Sequence, residues 1–275
     1  MRNSIPVKTV RAGERTFDQM KSSKQRGSSE CWVIDLGRIA YEPACRIQRR
    51  FVDARKADAI PDVLLLCDHP HFITLGRNGK AANLRASDRV LQQMGVEFHS
   101  TDRGGDITYH GPGQIVGYPI LDLASHRRDV RWYVDRLEET LIRATREFGV
   151  EARRIEGWHG IWVDTPAGPE KLAALGVHLS RWVTSHGFAY NVSTDLRYFD
   201  LIVPCGIPGR RATSLEKLLG REVHVPAARE EIVRQFGEVF SREMISMPRR
   251  DFEEMSFGVD ASDETSPEFS ALHAR

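Results

Sequence analysis

Only four cysteines stand in the 275 residues, at 31, 45, 67 and 205, and no two form a Cys-x-x-Cys pair. That spacing argues against a disulfide-stapled scaffold and a cysteine-based zinc site, and the thiols read as reduced. An excess of one charge is missing as well. The 39 basic and 38 acidic residues leave a net charge of +1, which offers no electrostatic footprint for nucleic acid or an anionic membrane. No apolar run approaches the roughly 18 residues of a membrane span. The N-terminal stretch carries no hydrophobic segment of a secretory signal, and Glu14 and Asp18 disfavour a mitochondrial presequence; a cytoplasmic location is expected. Two nucleotide signatures are lacking: there is no Gly-x-x-x-x-Gly-Lys-Ser/Thr loop and no Gly-x-Gly-x-x-Gly. Gly76-Arg77-Asn78-Gly79-Lys80 has the wrong spacing for either. The strongest sequence reasons to invoke ATP are therefore gone, although ATP is not excluded.

Residues 1–28 hold seven Lys or Arg against two acids and no apolar periodicity, so they read as a flexible basic extension. Residues 248–275, with the acidic stretch Asp260 to Glu268, read as a loose tail. Between them lies one expected catalytic domain, 29–247. Its apolar patterning places strands near 31–36, 63–66, 72–75, 115–121, 160–163, 172–179 and 182–192. Helices are expected near 40–57, 87–94, 130–148 and 227–244. The clearest is 130–148, where Val130, Val134, Leu137, Leu141, Ala144 and Phe148 keep one face. Strands and helices mix without a regular βαβ repeat, which points to an α/β (α+β) domain with a mixed sheet flanked by helices.

Three segments could carry chemistry. The run Arg103-Gly-Gly-Asp-Ile-Thr-Tyr-His-Gly-Pro-Gly-Gln114 packs four glycines beside Arg103 and His110. One or two glycines suffice for a plain turn; four allow a ligand to approach the main chain. Cys205 sits in Leu-Ile-Val-Pro-Cys-Gly-Ile-Pro-Gly, where an apolar strand delivers a thiol into a stiff loop. Only the thiolate is a nucleophile, and a free thiol titrates near 8.5, so a base must lie close. Cys31, Cys45 and Cys67 lack that context and read as buried structural thiols. Lys171 opens an otherwise apolar strand and can exchange a proton if it is desolvated. A strand-end lysine also snorkels commonly, and Cys–His pairs are the more usual thiol catalysts. On residues alone Lys171, His110 and His186 all remain open as the base. His69-Pro70-His71 has metal-like composition but no partner ligands at the right spacing, so no metal is expected.

Taken in order, several stretches closely resemble the lipoyl (octanoyl) transferases. They are His69-Pro70 with Phe72 to Arg77, the run 103–114, Lys171 to Val177, Trp182 to Ala189, Ile202 to Ile207, and Thr213-Ser-Leu215. The resemblance spans roughly residues 30–245 and implies a fold like that of the biotin and lipoate protein ligases. It implies an acyltransferase that moves an octanoyl group from acyl carrier protein onto a lysine of lipoyl domains, as the first step of endogenous lipoate synthesis. Acceptors would be the lipoyl domains of 2-oxoacid dehydrogenase complexes and the glycine cleavage H protein. No cofactor would be needed, because the donor is already a thioester. Cys205 would carry the acyl thioester and Lys171 would lower its pKa. Arg103, Gly104, Gly105, Asp106, Ile107, Thr108, Tyr109 and His110 would line the acyl site, together with Ala174, Leu175, Gly176, Gly187, Phe188 and Ala189. His110 would thereby become a substrate contact instead of a base. Both protein substrates are acidic as families, so Arg77, Lys80, Arg103, Arg210 and Arg211 are expected to ring the site. The rival readings are an ATP-dependent ligase on the same fold, a non-enzymatic lipoyl-domain binder, and a papain-like thiol hydrolase, which lacks the expected helix after its cysteine.

Overall fold

The structure is a computed structural model that describes residues 8–9, 29–203 and 210–248. In chain order its elements are β1 (Lys8–Thr9), β2 (Glu30–Arg38), α1 (Tyr41–Lys56), β3 (Asp62–Asp68), β4 (Phe72–Leu75), α2 (Asp88–Gln93), β5 (Glu97–Ser100), β6 (Ile107–His110) and β7 (Gln114–Ile120). There follow α3 (Val130–Arg146), β8 (Arg153–Ile155), β9 (Trp158–Thr165), β10 (Gly168–Ser180), β11 (Val183–Asn191), β12 (Arg211–Ala212), α4 (Leu215–Leu219), α5 (Val225–Phe240) and β13 (Glu243–Met247). Single 3-10 turns cover Ala81–Asn83 and Leu196–Leu201.

The main sheet has ten strands, in the order β1-β13-β2-β3-β7-β11-β10-β9-β8, with β12 added beside β10. The β1, β13, β2 and β3 pairings are parallel, and those from β3 through β9 to β8 are antiparallel. A second sheet, β5-β4-β6, stands apart. The mixed α/β arrangement is the one that the alternation of elements predicts. β3 is apolar almost throughout and buried along nearly its whole length, because helices cover both faces of the sheet there. On one face Tyr133, Leu137 and Leu141 of α3 pack with Ile232, Phe236 and Phe240 of α5. On the other, Ala44, Phe51 and Val52 of α1 pack against Val63, Leu65, Val116 and Ala189. A third cluster joins Ile73, Ile107 and Tyr109 of the small sheet to Ile202.

Local signals explain the helices. Asp129 caps α3 by accepting from the Trp132 N–H at 3.0 Å, and Pro226 in the first turn of α5 presets φ. The expected helix 227–244 ends sooner, at Phe240. Ser241 is left-handed there, with φ +53°. Met244, Ile245 and Met247, buried on the two faces of the sheet, then form β13. Helical and strand periods run together at that junction, which hid the strand from a helix-period reading. Lys8–Thr9, within the basic extension, pairs with Ile245 and Ser246 of β13.

Asp62 ties the elements together from inside. Its carboxylate accepts from Arg55 Nε (3.1 Å), His126 Nε2 (2.6 Å), Arg242 Nε (3.1 Å) and the Asp122 N–H (3.1 Å). Burial works against its charge, but these partners prevail and hold it below the ordinary carboxylate value. Among the described residues no helix is long and apolar enough to cross a membrane.

Candidate active site

Glycine chemistry builds the walls of a large cleft. Residues 76–78 and 103–106 are zipped by main-chain bonds: Arg77 N–H to Arg103 O (2.9 Å), Asn78 N–H to Gly105 O (3.2 Å) and Gly76 N–H to Asp106 O (3.2 Å). At Gly76 a Cβ would lie 2.5 Å from the Gly105 carbonyl, so only glycine lets the two segments meet. Gly104 then donates its N–H to Val177 O at 2.9 Å, which docks the run against β10. The resulting cleft, of about 1020 Å³, takes its lining from α1, the glycine-rich run, β7, α3, the β8–β9 turn and the β10–β11 hairpin.

Of the fourteen residues expected to bind the acyl group, thirteen line this cleft. Tyr109 is the exception. Strand alternation sends its ring the other way, into the third core cluster, where it is fully buried against Tyr198 and Phe199. Its hydroxyl meets His71 Nδ1 at 2.7 Å, so it supports the wall from behind. Arg103 needs correction as well. Its guanidinium is buried and donates to Thr74 Oγ1 and O and to Gly104 O, at 2.8–3.1 Å. It is a brace for the run and cannot serve as an exposed docking cation. Asp106 accepts from the Lys80 N–H (3.1 Å) and from Asn83 Nδ2 (2.5 Å). Arg77, Lys80 and Arg211 are exposed, and Arg210 is half-buried.

The three possible bases separate clearly. His110 is buried against Phe72, with ring centroids 4.6 Å apart, and its Nδ1 pairs with Gln114 Oε1 at 2.9 Å. Burial, with the neighbouring His69 and Arg103, holds its imidazole well below the ordinary value, so it is a poor proton acceptor near neutrality. His186 bonds Asp102 Oδ1 through Nε2 at 2.8 Å. It stands opposite Val177, six positions along β10 from Lys171, which is about 20 Å at the rise of a strand. Lys171 lies inside β10, three residues after the strand begins at Gly168. It is nearly buried, with Nζ 4.7 Å from the Trp162 ring centroid. Trp158 packs on Trp162 at 5.1 Å, and Arg210 covers Trp158 at 4.1 Å. A cation therefore caps each end of an aromatic pair, an arrangement that a linear sequence does not display.

Cys205 lies outside the described residues, but both flanks of its segment are fixed. Upstream, the Val203 N–H donates to Asn83 O at 2.7 Å, and Leu201 O accepts from Arg85. Downstream, β12 pairs with β10 so that Ala212 lies opposite Lys171, and the Thr213 N–H donates to Lys171 O at 2.9 Å. The described chain before residues 204–209 is thus held by Asn83 and Arg85, and the chain after them is held against Lys171, a residue of the cleft lining. The other cysteines are unsuited to nucleophilic work. Burial raises the thiols of Cys31, Cys45 and Cys67. Cys67 Sγ lies 3.3 Å from His69 Nε2, but burial also lowers the imidazole to about 4. Both shifts oppose a thiolate–imidazolium pair. Sequence reasoning missed Thr74, Asn83, Asp102 and Trp162, which act through tertiary contacts. Thr74 had a local hint, inside the Phe72 to Arg77 stretch, and so did Asp102, as the neighbour of Arg103.

Residues 40–237 match the lipoyl protein ligase A/B catalytic domain family. An octanoyltransferase of Solibacter usitatus is 51% identical over 215 residues, covering 78% of this chain and 95% of that protein. One from Acidobacterium capsulatum is 49% identical over 228 residues, covering 78% and 91%. Among solved structures, lipoate-protein ligase A bound with ATP superposes with a TM-score of 0.63 over 84% of this chain and 97% of that one, at 14% identity. The bipartite lipoate protein ligase of Thermoplasma acidophilum gives 0.62 over 82% and 89%, also at 14% identity, a likeness of fold. The chain belongs to the octanoyltransferases, acyltransferases with the lipoyl protein ligase A/B catalytic domain.

Proposed function

We propose that this octanoyltransferase takes its acyl group from octanoyl-acyl carrier protein and passes it to a lysine of a lipoyl domain, through a thioester on Cys205. The observation that carries the reading is the placement of Lys171: nearly buried against Trp162 in the cleft wall, with the chain beyond Cys205 hydrogen-bonded to its carbonyl. In the first step Lys171 accepts the Cys205 proton and the thiolate attacks the octanoyl carbonyl. The new C–S bond forms, the bond to the carrier's pantetheine sulfur breaks, and the Lys171 ammonium returns the proton to that leaving thiolate. In this reading main-chain N–H groups of the glycine-rich segments supply the stabilisation of the oxyanion. In the second step a neutral acceptor lysine attacks the thioester. The amide C–N bond forms, the C–S bond breaks, and the amine proton passes by way of Lys171 to the Cys205 sulfur.

The acceptors are the lipoyl domains of 2-oxoacid dehydrogenase complexes and the glycine cleavage H protein, and the reaction is the first step of endogenous lipoate synthesis in the cytoplasm. Residues 29–247 form the catalytic unit, flanked by the 1–28 and 248–275 extensions. The donor already holds a thioester, so the transfer proceeds without ATP. Incubation of the enzyme with octanoyl-carrier protein and a lipoyl domain, without nucleotide, should give an octanoyl-lysine domain by mass. Transfer only from free octanoate plus ATP would instead identify a ligase of the fold shared with lipoate-protein ligase A.

A further inference from the structure

One residue of β11 is out of step with its strand. Alternation should place Thr184, His186 and Phe188 on one face. Phe188 does pack in the core beneath α3, and Thr184 is fully buried with its hydroxyl donating to Pro119 O at 2.8 Å. His186 does not join them. Its φ of +54° lies in the left-handed region, a costly conformation for a residue with a Cβ. The kink carries it to the α1 side: its N–H donates to Gln48 Oε1 at 3.0 Å, and Nε2 meets Asp102 Oδ1 at 2.8 Å. Asp102 Oδ2 also lies 3.6 Å from His178 Nε2. Among the described residues no cluster of three such groups is arranged to hold a metal ion. The conformation therefore places an imidazole at one chosen point of the cleft wall.

That point is the end of a row of small residues. On one face of the hairpin between Lys171 and His186 the rungs are Ala174 with Ala189 and Gly176 with Gly187; the intervening rung, Leu175 with Phe188, packs towards the core under α3, and the next rung sets Val177 against His186. We infer that His186, tethered by Asp102 and Gln48, closes the far end of the acyl channel and sets the length of chain that the enzyme accepts. The inference rests on the reading above, in which the thioester carbon sits beside Lys171. The 20 Å between the two positions holds an extended eight-carbon chain of roughly 10 Å plus the two side chains that bound it. A chain longer by four methylenes must push the imidazole off Asp102. His186 is thus a specificity-determining residue.

His186→Gly tests this cleanly, because glycine accepts the left-handed backbone and removes only the ring. Acyl-enzyme formation is followed with octanoyl-, decanoyl- and dodecanoyl-carrier protein. In the wild type the rate should fall with chain length; in His186→Gly the dodecanoyl-to-octanoyl ratio of kcat/KM should rise about tenfold or more. Asp102→Asn, which loosens the ring without altering the strand, should move the ratio the same way by about threefold and decides the matter if the glycine variant does not fold. A ratio unchanged in both variants, with octanoyl transfer retained, overturns the inference and leaves His186 as a tether. Absence of any acyl-enzyme in the wild type overturns the underlying reading, a distinct outcome.

Discussion

The Asn83 carboxamide donates to Asp106 at 2.5 Å, while the carbonyl of the same Asn83 accepts from the Val203 N–H at 2.7 Å. Asp106 belongs to the glycine-rich run, and Val203 stands two residues before Cys205. One asparagine thus joins the glycine-rich run to the chain that leads towards Cys205. Asp106→Ala removes two accepted hydrogen bonds and frees that approach. The turnover of octanoyl-carrier protein should fall roughly ten- to hundredfold with little change in KM, since misplacement of a reacting group by about 1 Å has that effect. The readout is a kcat-against-KM comparison. A rise in KM alone would return Asp106 to direct substrate contact.

Tyr109 supports the wall from the core side, where its hydroxyl meets His71 at 2.7 Å. Tyr109→Phe should cost about 1 kcal/mol of stability and lower Tm by about 2–4 °C, leaving the KM for donor unchanged. Thermal unfolding and steady-state kinetics on the same preparation check both halves.

His69 is fully buried, with Nε2 2.8 Å from the Tyr118 hydroxyl and its titration lowered to about 4 by burial. Its unfolded value is near 6.5. The unfolded chain therefore binds a proton first, and stability complete above pH 6.5 is lost as pH falls towards 4. Urea midpoints should decline over that window, and less steeply in His69→Gln. Parallel curves for the two proteins would show that His69 is not the group responsible.

Arg210, stacked 4.1 Å over Trp158, and the exposed Arg211 follow the cysteine segment and remain suited to dock an acidic carrier. Replacing both with glutamate should raise the apparent KM for octanoyl-carrier protein severalfold, more at low salt than at high salt. An octanoyl thioester with no carrier protein attached should be unaffected. An unchanged KM for the carrier would remove the docking role.

Much of the fold was legible where one period dominates. The 130–148 stripe became α3, and the apolar runs became β2, β3 and β7. β13 was not, because its buried residues, Met244, Ile245 and Met247, show no strict alternation and follow directly on the stripe of α5. The site divides in the same way. The motifs located the glycine-rich and β10–β11 parts of the cleft lining, but not the parts supplied by α1, β7, α3 and the β8–β9 turn, which carry no local signature. Side-chain direction left none: Tyr109 and Thr108 are adjacent in sequence yet face opposite sides, and Arg103 turns inward to Thr74. His186 is the sharper case, because its backbone departs from the alternation that any strand pattern assumes.

The central claim is that Cys205 carries the acyl group with Lys171 as its proton partner. Intact-mass measurement after mixing with octanoyl-carrier protein tests it most directly. The account predicts a gain of one octanoyl group that hydroxylamine removes, absent in Cys205→Ala and slow to form in Lys171→Ala until the pH nears that of a free thiol, about 8.5. Transfer at the wild-type rate by Cys205→Ala would contradict it.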